Sequence, residues 1–435
     1  MSTTWNDLEK IAPVEVVESL KKLNAFYDGR KMAVWMANLY DPEVGGFYYS
    51  NSARDHEGYL PDLESTVQLL SWLEANGAFP KPARELIPED IAERLVKFAK
   101  DMQSEVDGCF YHPQWKNQTV GVARSGRDIG WGNKLITMFG ARPDYDVPGG
   151  ASGILGAPKG REDSATTPAR KTVADFSSSE AYTKWLEEFN ATIKENSGNA
   201  HNMNAMFSEI RGRGFVCETL DFLDRIQDEV YAEQTAAGET PTGLWQKPVD
   251  YHAVWGLLKY MPFYNDPKDG REIRYAKEIV ATCVKVIKLP PVGRYFMNDM
   301  MNQWRGIDSM LANVRKYHPE QLEELFEITR ASAKELVDNS LAKIQPFKRA
   351  DSSFSYKQDG HSLANIYGTD ISLGLEEGDV NATGLCSSMY RAAFTCLGYP
   401  VVHLCNEEDG EEFLRIITTR LPIQKKPVPR NEENT

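Results

Sequence analysis

At three places where an apolar helix is expected to begin, a polar residue stands two positions after an aspartate. In the segments DLESTVQLL, DYHAVWGLL and DVNATGLCS, that second residue is Glu64, His252 and Asn381 respectively. Aspartate is a favourable N-cap because its carboxylate accepts hydrogen bonds from the unpaired backbone N–H groups at the helix start. A repeat that keeps its cap but varies the residue of the next turn is expected of an active site built on a repeated scaffold.

Two reactions, both on carbohydrates, fit the polar residues around these helix starts. Glycoside hydrolysis needs two carboxyl groups, one of them with a raised pKa. The acidic candidates are Asp62, Glu64, Asp128 and Asp250. Elimination at a uronate needs a group that neutralises the carboxylate and a base that removes the α-proton. The candidates for elimination are His201, Asn202, Tyr251, His252 and Arg305.

From these candidates we predict a catalytic set and a substrate-binding set. The predicted catalytic residues are His252, Tyr251, His201, Arg305 and Glu64. The predicted substrate-binding residues are Asp62, Asp128, Trp131, Asn202, Asp250, Trp255, Trp304 and Asn381. The tryptophans are included because aromatic faces stack on sugar rings. The structural alternative is that the aspartates serve only as helix caps and the tryptophans only fill the core.

The helices that would position these residues come from a pattern found four times along the chain. Each copy has a helix ending in glutamine or a similar residue, a turn with an aromatic residue, and an aspartate that opens an apolar helix. The turns are GGFYY at 45–49, DGCFY at 107–111, TGLW at 242–245 and SSFSY at 352–356. With two further apolar helices, inner helices are expected to begin near residues 62, 128, 202, 250, 299 and 379.

This pattern predicts an all-α chain that forms a single α/α toroid domain over residues 1–435, with about six outer–inner helical hairpins. Amphipathic segments such as IAERLVKFAKDMQ would be the outer helices, with one face toward water. Residues 141–180 are rich in Gly, Pro, Ser and Thr, and we expect a long loop that is either disordered or a lid over the mouth. Residues 421–435 are expected to form a flexible tail.

Two of the turns place a glutamine, a glycine and an aromatic residue in the same order. These residues are Gln103, Gly108 and Phe110 in one copy and Gln227, Gly243 and Trp245 in the other. They resemble the QW-type repeat of the terpenoid cyclase and protein prenyltransferase toroid superfamily, and GDVNAT at 378–383 looks like the opening of its inner helices. The resemblance implies the toroid fold, but a fold does not supply a function.

The catalytic motifs of that superfamily are not matched. The additional acids of an Asp-x-Asp-Asp motif are missing after Asp379, and neither a zinc-ligand set nor an Asp-Asp-x-x-Asp motif occurs. A terpenoid or polyprenyl enzyme and a non-catalytic toroid binding protein therefore stay as alternatives. The Asn, His, Tyr and Arg candidates resemble the catalytic set of α/α-barrel polysaccharide lyases, whose basic clefts fit an acidic chain less well.

The amino-acid composition limits the kinds of binding partner that are expected. The 63 acidic and 49 basic residues give a net charge of −14, which disfavours nucleic acid and anionic lipid surfaces. No leader peptide and no apolar run of the ~20 residues needed to span a bilayer is visible, so we expect a cytoplasmic enzyme acting on a small molecule or an oligosaccharide. The six cysteines are expected to be buried and unpaired. No cofactor is predicted, and both a divalent metal ion and the oligomeric state are left open.

Overall fold

The fold is known from a computed structural model, which describes residues 3–115, 122–160, 174–195, 203–246, 253–290 and 295–428. Within these ranges the chain is mostly helical, with eighteen α-helices and one short β-hairpin. This confirms the all-α prediction. The contacts between Cα atoms divide the chain into two compact units. The closed six-hairpin toroid and the single domain stay predictions.

The helices are numbered in chain order. The first nine are α1 (Trp5–Leu8), α2 (Val14–Phe26), α3 (Gly29–Ala37), α4 (Asn51–Asp55), α5 (Leu63–Ala75), α6 (Ala83–Leu86), α7 (Glu89–Lys100), α8 (Val122–Met138) and α9 (Ser179–Glu195). The other nine are α10 (Phe207–Arg213), α11 (Val216–Ala236), α12 (Ala253–Tyr264), α13 (Ala276–Lys288), α14 (Met297–Tyr317), α15 (Leu322–Arg330), α16 (Ala333–Ile344), α17 (Val380–Thr395) and α18 (Glu407–Thr418). The antiparallel strands β1 (Asn365–Ile366) and β2 (Thr369–Asp370) form the hairpin.

The first unit comprises residues 1–27, 172–345 and 385–403. Within it, α14 packs against α12 and α13, α2 against α16, and α9 against α11. Helix α14 begins close to the expected position, but its cap differs from the prediction. Asp299 is the third helical residue, and its Oδ2 accepts from the backbone N–H of Phe296, 2.8 Å away. The aspartate therefore satisfies the helix start from inside the first turn.

The second unit comprises residues 28–171, 346–384 and 404–435. Helix α5 packs against α8, α8 against α7, and α3 against α18. As predicted, α5 begins after Asp62, whose carboxylate accepts from the backbone N–H of Glu64 at 2.9 Å. Its apolar residues Val67, Leu70 and Leu73 are completely buried, as expected of an inner helix.

The repeated turn has the same local structure in both units. Gln103 Nε2 donates to the carbonyl of Gly108 at 3.2 Å, and Gln227 Nε2 donates to the carbonyl of Gly243 at 2.6 Å. Both glycines have a positive φ, of 74° and 71°, which a residue without Cβ adopts at little cost. In the fourth copy Ser352 takes a φ of 68° in the place of glycine.

The prediction that an inner helix begins near residue 128 is wrong. Helix α8 begins at Val122, so Asp128 lies within the helix rather than at its cap. Its carboxylate instead contacts Arg124, one turn earlier on the same face. The starts predicted near residues 202 and 250 lie outside the described residues.

The segment at 141–180 is described up to residue 160 and again from residue 174. Its first part has no helix or strand and is tied to Gln103, whose Oε1 accepts from the backbone N–H groups of Asp144 and Tyr145 at 2.9 and 3.1 Å. A role as a lid stays a prediction. In the C-terminal tail, which is described to residue 428, the N–H of Lys426 donates to the carbonyl of Asp55 at 2.7 Å.

All six cysteines are free, and five of them are buried as predicted. Cys217 is exposed and is the exception. Among the helices of the described ranges, none is long and apolar enough to cross a lipid bilayer.

Candidate functional site

Arg124 joins three of the predicted acidic residues into one buried group in the second unit. Its Nη2 lies 2.8 Å from Asp62 Oδ1 and 2.8 Å from Asp128 Oδ1, and its Nη1 lies 3.4 Å from Glu64 Oε2. The four side chains are at most 3% exposed. Together with Arg127, which also contacts Glu64, these residues are called the acid cluster below.

Two helices position the acid cluster. Asp62 and Glu64 stand at the start of α5, while Arg124, Arg127 and Asp128 share one face of α8 at spacings of three and four residues. Because α5 and α8 pack against each other, residues about sixty positions apart in the sequence meet. Arg124 and Arg127 are absent from the predicted set. The signal that could have found them is the segment RSGRD, which places two cations within one turn of the aspartate.

Arg127 lies on the side of the acid cluster that is partly exposed to solvent, which is called its flank below. Its Nε donates to Glu64 Oε2 at 3.0 Å and its Nη2 donates to Glu64 Oε1. The two side chains thus form a bidentate ion pair that holds this carboxylate. The Arg127 side chain is 23% exposed, whereas that of Glu64 is completely buried. The guanidinium also lies over the ring of Tyr367, 5.4 Å from its centroid.

Asn381 is connected to the acid cluster by hydrogen bonds through the side-chain amide of Gln68. Gln68 Nε2 donates to Glu64 Oε1 at 2.9 Å and to Asn381 Oδ1 at 3.2 Å. Glu64 and Asn381 are the residues that the repeat aligns at equivalent positions, and the second unit brings them to the same hydrogen-bond donor.

Two carboxylate oxygens of the cluster are buried without a hydrogen-bond partner, Asp62 Oδ2 and Asp128 Oδ1. Asp128 Oδ1 is 2.8 Å from Arg124 Nη2, but at an angle that makes no hydrogen bond. The hydroxyl of Tyr49, also buried, is unpaired as well. Buried polar atoms are nearly always hydrogen bonded, so Asp62 Oδ2, which has neither a hydrogen bond nor an ion pair, indicates a place for a ligand group or a water molecule.

The two aspartates of the cluster have opposite pKa shifts. Burial raises the pKa of Asp128 to about 7, with further increases from Asp62 and Glu64, although Arg124 opposes them. Burial also raises the pKa of Asp62, but Arg124, His112 and the N–H of Glu64 outweigh it and leave that pKa below its usual value. Below about pH 7 the two aspartates therefore include one protonated and one ionised carboxyl group.

A stack of rings supports Arg124. The guanidinium lies 4.7 Å from the centroid of the Trp115 ring, and His112 stacks on Trp115 with 3.8 Å between ring centroids. His112 Nδ1 accepts from the N–H of Gln114 at 3.2 Å, so Nε2 carries the proton and donates to the carbonyl of Pro61 at 2.7 Å. Burial lowers the pKa of His112 to about 4, which keeps the ring neutral. His112 thus positions the residue that precedes Asp62.

Asp379 is a further buried carboxyl group in this unit. Its Oδ1 accepts from the N–H of Ala382 at 2.7 Å and its Oδ2 from the N–H of Leu363 at 3.1 Å, so it caps α17 as predicted. Burial raises its pKa to about 7, and the charges of Glu377 and Glu64 add to this increase, against the two backbone donors. Since its oxygens are both used by the backbone, Asp379 has a structural role.

The first unit contains three of the predicted residues, Trp304, Trp255 and Arg305. Trp304 is 1% exposed and donates from Nε1 to Ser340 Oγ at 2.9 Å, so it is a core residue and not the exposed sugar platform that was predicted. Trp255 is partly buried and donates from Nε1 to Asp299 Oδ1 at 3.1 Å. Arg305 lies on α14 and is half-buried.

The remaining predicted residues divide into two groups. Trp131, in the second unit, is partly buried on α8, with an unpaired indole nitrogen and the Lys134 ammonium 5.7 Å from its ring centroid. The others lie outside the described residues: His201, Asn202, Asp250, Tyr251 and His252. Among the residues that the structure describes, no three His, Cys, Asp or Glu side chains are grouped so as to hold a metal ion.

Comparison with known proteins gives no match: no protein-family model fits the chain, and neither a curated protein nor a solved structure is detectably similar to it. The geometry of the acid cluster is therefore the basis on which a function is inferred.

Proposed function

We propose that the protein is a carbohydrate-active hydrolase whose reacting groups are Asp62 and Asp128. The observation that carries this proposal is that two buried acids held by one cation have pKa values shifted apart, and that Asp62 Oδ2 has no partner. A glycosidase needs such a pair, with one acid protonated at neutral pH and the other ionised.

The spacing of the two acids supports a retaining mechanism. Since Asp62 Oδ1 and Asp128 Oδ1 both lie 2.8 Å from one nitrogen, they are no more than twice that distance, about 5.6 Å, apart. The carboxyl groups of retaining glycosidases are separated by about 5–5.5 Å, whereas inverting enzymes need more room for a water molecule.

In the first step, Asp128 gives its proton to the glycosidic oxygen as the bond to the anomeric carbon breaks. Asp62 forms a bond to that carbon, and the leaving sugar or alcohol departs as a neutral hydroxyl compound. In the second step, a water molecule gives a proton to Asp128, attacks the anomeric carbon and releases Asp62. Both carboxyl groups return to their starting states. The Glu64 carboxylate, held by Arg124 and Arg127, stabilises the positive charge that develops on the sugar ring.

The substrate reaches these acids on the flank formed by Arg127 and Asn381, because these side chains are partly exposed whereas Asp62 and Asp128 are covered. Movement of Arg127 away from Glu64 would open that flank. The charged character of the cluster is the opposite of the apolar lumen that the isoprenoid alternative requires. Elimination at a uronate depends on residues outside the described ranges.

We also propose the six-hairpin α/α toroid as the complete architecture. Its support is the recurrence of one Gln–Gly turn in both units, at Gln103 and Gln227, each followed by a buried aromatic residue. Scattering in solution gives the test, since a closed ring and two separately placed units have different distance distributions.

A panel of aryl glycosides and natural oligosaccharides, assayed with the purified full-length chain, tests the hydrolase proposal. We expect release of the aglycone from at least one sugar class, with a first product of the same anomeric configuration as the substrate. Asp62→Asn and Asp128→Asn should each lower kcat by about 10²–10⁴-fold, while Asp101→Asn, at an exposed pair with Lys97, should not. If only stability changes and no sugar in the panel is cleaved, the cluster is a structural ion-pair network.

A further inference from the structure

A surface cavity of about 630 Å³ in the second unit has more cationic than anionic side chains among its described lining residues. The cations are the guanidinium groups of Arg54, Arg415 and Arg420, and the anion is the carboxylate of Asp55. In a chain with 63 acidic and 49 basic residues, this local balance is the reverse of the overall one. No residue of the acid cluster lines this cavity, so it is a separate feature of the unit.

Three segments distant in the sequence form the cavity, namely the end of α3, the end of α4, and the chain from α18 to residue 424. They meet at Asn38, the C-cap of α3. Its carbonyl accepts from Arg420 Nη2 at 2.8 Å and from Arg54 Nη1 at 3.2 Å. These two nitrogens are therefore at most about 6 Å apart, close enough for one oxyanion to contact both guanidiniums.

The two guanidiniums differ in their partners. Arg54 donates from Nε and Nη2 to the two oxygens of Asp55, at 2.6 and 2.9 Å, and so forms a bidentate ion pair. Arg420 donates to the carbonyl and to the side-chain oxygen of Asn38, and it forms no ion pair with a described residue. Arg420 is thus the lining cation that a carboxylate ligand of the cavity would complement.

The nearby acids do not compensate the charge of Arg420. Burial and then the charge of Arg54 lower the pKa of Arg420, and Asp55 and Asp41 oppose this shift without cancelling it. Both acids bond to other groups, since Asp55 is paired with Arg54 and the oxygens of Asp41 accept from backbone N–H groups and from the hydroxyl of Tyr48. A bound anion would therefore stabilise the charged form of Arg420.

The unpaired polar atoms at the cavity are donors. A second cavity, of about 360 Å³, adjoins the first, because Asn38 and Arg54 line both. Trp35, one turn before Asn38 on α3, lines the second cavity and is 5% exposed. Among the described lining residues, the buried polar atoms without a hydrogen bond are Nε1 of Trp35 and Nε of Arg420. A ligand with acceptor atoms, and not a cation, fits two unpaired donors.

The cavity also has an apolar side, formed by Ile416, Leu421, Pro422 and Ile423. Leu421 has the largest exposed fraction of these side chains, 78%. Sites for small molecules combine apolar surface with a few polar groups that fix the orientation of the ligand. The guanidiniums and the apolar side together indicate a ligand with one anionic and one apolar part.

We propose that this cavity binds a small molecule in which a carboxylate or phosphate group is attached to an apolar part. Arg54 and Arg420 contact the oxyanion, because guanidiniums present N–H donors at the spacing of carboxylate and phosphate oxygens. Leu421 and Ile423 pack against the apolar part. Arg415, whose side chain is 62% exposed and paired with Glu412, adds positive charge at the edge. This inference does not depend on the hydrolase proposal.

The test uses the full-length chain with hexanoate, hexyl phosphate, inorganic phosphate and hexyltrimethylammonium at equal ionic strength. Titration calorimetry gives the Kd, and scanning fluorimetry gives the Tm in each salt. The variants are Arg420→Gln and Asp55→Asn. Arg142→Gln is the matched control, because Arg142 also donates to backbone carbonyls, those of Ser152 and Gly153, and does not line the cavity.

We expect hexanoate, hexyl phosphate or both to bind the wild type and Arg142→Gln with the same Kd. In Arg420→Gln the Kd should be about tenfold weaker or more, since a charge-assisted contact is lost. In Asp55→Asn binding should be tighter than in the wild type, because the lining carboxylate is removed and Arg54 is released. Binding of hexanoate alone identifies a carboxylate ligand, and binding of hexyl phosphate alone a phosphorylated one.

The variants distinguish a binding site from arginines that only cap α3. A role in capping alone predicts a lower Tm for Arg420→Gln and no specific binding of either anion to the wild type. That result would overturn the proposal, as would a Kd in Arg420→Gln equal to the wild-type value. Equal binding of hexyltrimethylammonium would exclude recognition of the anion, and equal binding of inorganic phosphate would exclude the apolar part. Should Arg420→Gln fail to fold, unchanged or weaker binding in Asp55→Asn overturns the proposal.

Discussion

Asp62 and Asp128 each place an oxygen 2.8 Å from the same guanidinium nitrogen of Arg124, although 66 residues separate them in the chain. One cation thus holds two buried acids close together while their pKa values shift in opposite directions. Asp62 Oδ2, which has neither a hydrogen bond nor an ion pair, is the feature that a structural ion-pair network does not explain.

The pH dependence of turnover should report the proton on Asp128. Because Asp128 acts as an acid and its pKa is about 7, we expect kcat/KM to fall as the pH rises above about 7. The measurement is a pH–rate profile with an aryl glycoside that has a poor leaving group. In Asp128→Asn the residual rate should lose this alkaline limb. A wild-type profile that stays flat from pH 6 to pH 9 would show that Asp128 does not donate the proton.

The stability of the fold should depend on pH through the same group. Between its usual pKa of 3.8 and about 7, Asp128 keeps a proton in the folded chain that the unfolded chain has lost. The contribution of Asp128 to the free energy of unfolding therefore falls as the pH rises through this range. Asp128→Asn lacks this contribution, so its stability relative to the wild type should increase between pH 4.5 and pH 8.

Urea unfolding of both chains at the two pH values checks this expectation, with Asp101→Asn as the exposed control. A stability difference between Asp128→Asn and the wild type that does not change with pH would mean that Asp128 is ionised in the folded chain.

Removal of the Arg124 charge should strongly destabilise the second unit. Arg124→Met leaves the carboxylates of Asp62, Glu64 and Asp128 buried without their common cation, and a broken buried pair costs about 3–5 kcal/mol. Lys97→Met, at an exposed pair, should cost less than about 1 kcal/mol. Chemical unfolding at pH 7.5 measures both variants. Equal costs would show that the cluster is accessible to water.

Gln103 should hold the first part of the 141–160 segment in place. Its amide accepts from the N–H groups of Asp144 and Tyr145 and donates to the carbonyls of Gly108 and Tyr145. In Gln103→Ala these groups lose their partner, so we expect faster proteolytic cleavage within 141–160 and a loss of about 1–3 kcal/mol.

Limited proteolysis followed by mass spectrometry locates the cuts. Gln424→Ala, at an exposed glutamine, serves as the control. Unchanged cleavage of the Gln103 variant would show that other contacts hold the segment.

Features that depend on residues close together in the sequence could be predicted. The caps at Asp62 and Asp379 could be predicted because a carboxylate bonds to N–H groups two or three positions away. The buried character of α5 follows from its apolar sequence on nearly all faces. The Gln–Gly turn at Gln103 could be recognised for the same reason, since the positive-φ Gly108 follows five residues later.

Features that depend on a contact with a residue distant in the sequence could not be predicted. Asp128 was assigned to a helix start because no local signal shows that the helix begins six residues earlier. Trp304 was assigned to the mouth, but its burial depends on packing against Ser340 of another helix. The sequence does not predict a role for Arg124, because two of its three carboxylate partners, Asp62 and Glu64, stand at the start of α5.

By itself, therefore, the sequence determined the helical class, two caps, the repeated turn and the acids available for chemistry, all of which arise from local hydrogen bonding and hydrophobic periodicity. Only the tertiary structure decided which acids share a cation and which of them has a raised pKa. The physical reason is that burial and charge proximity are set by the packing of helices distant in sequence, and these two quantities control pKa values and ion pairing.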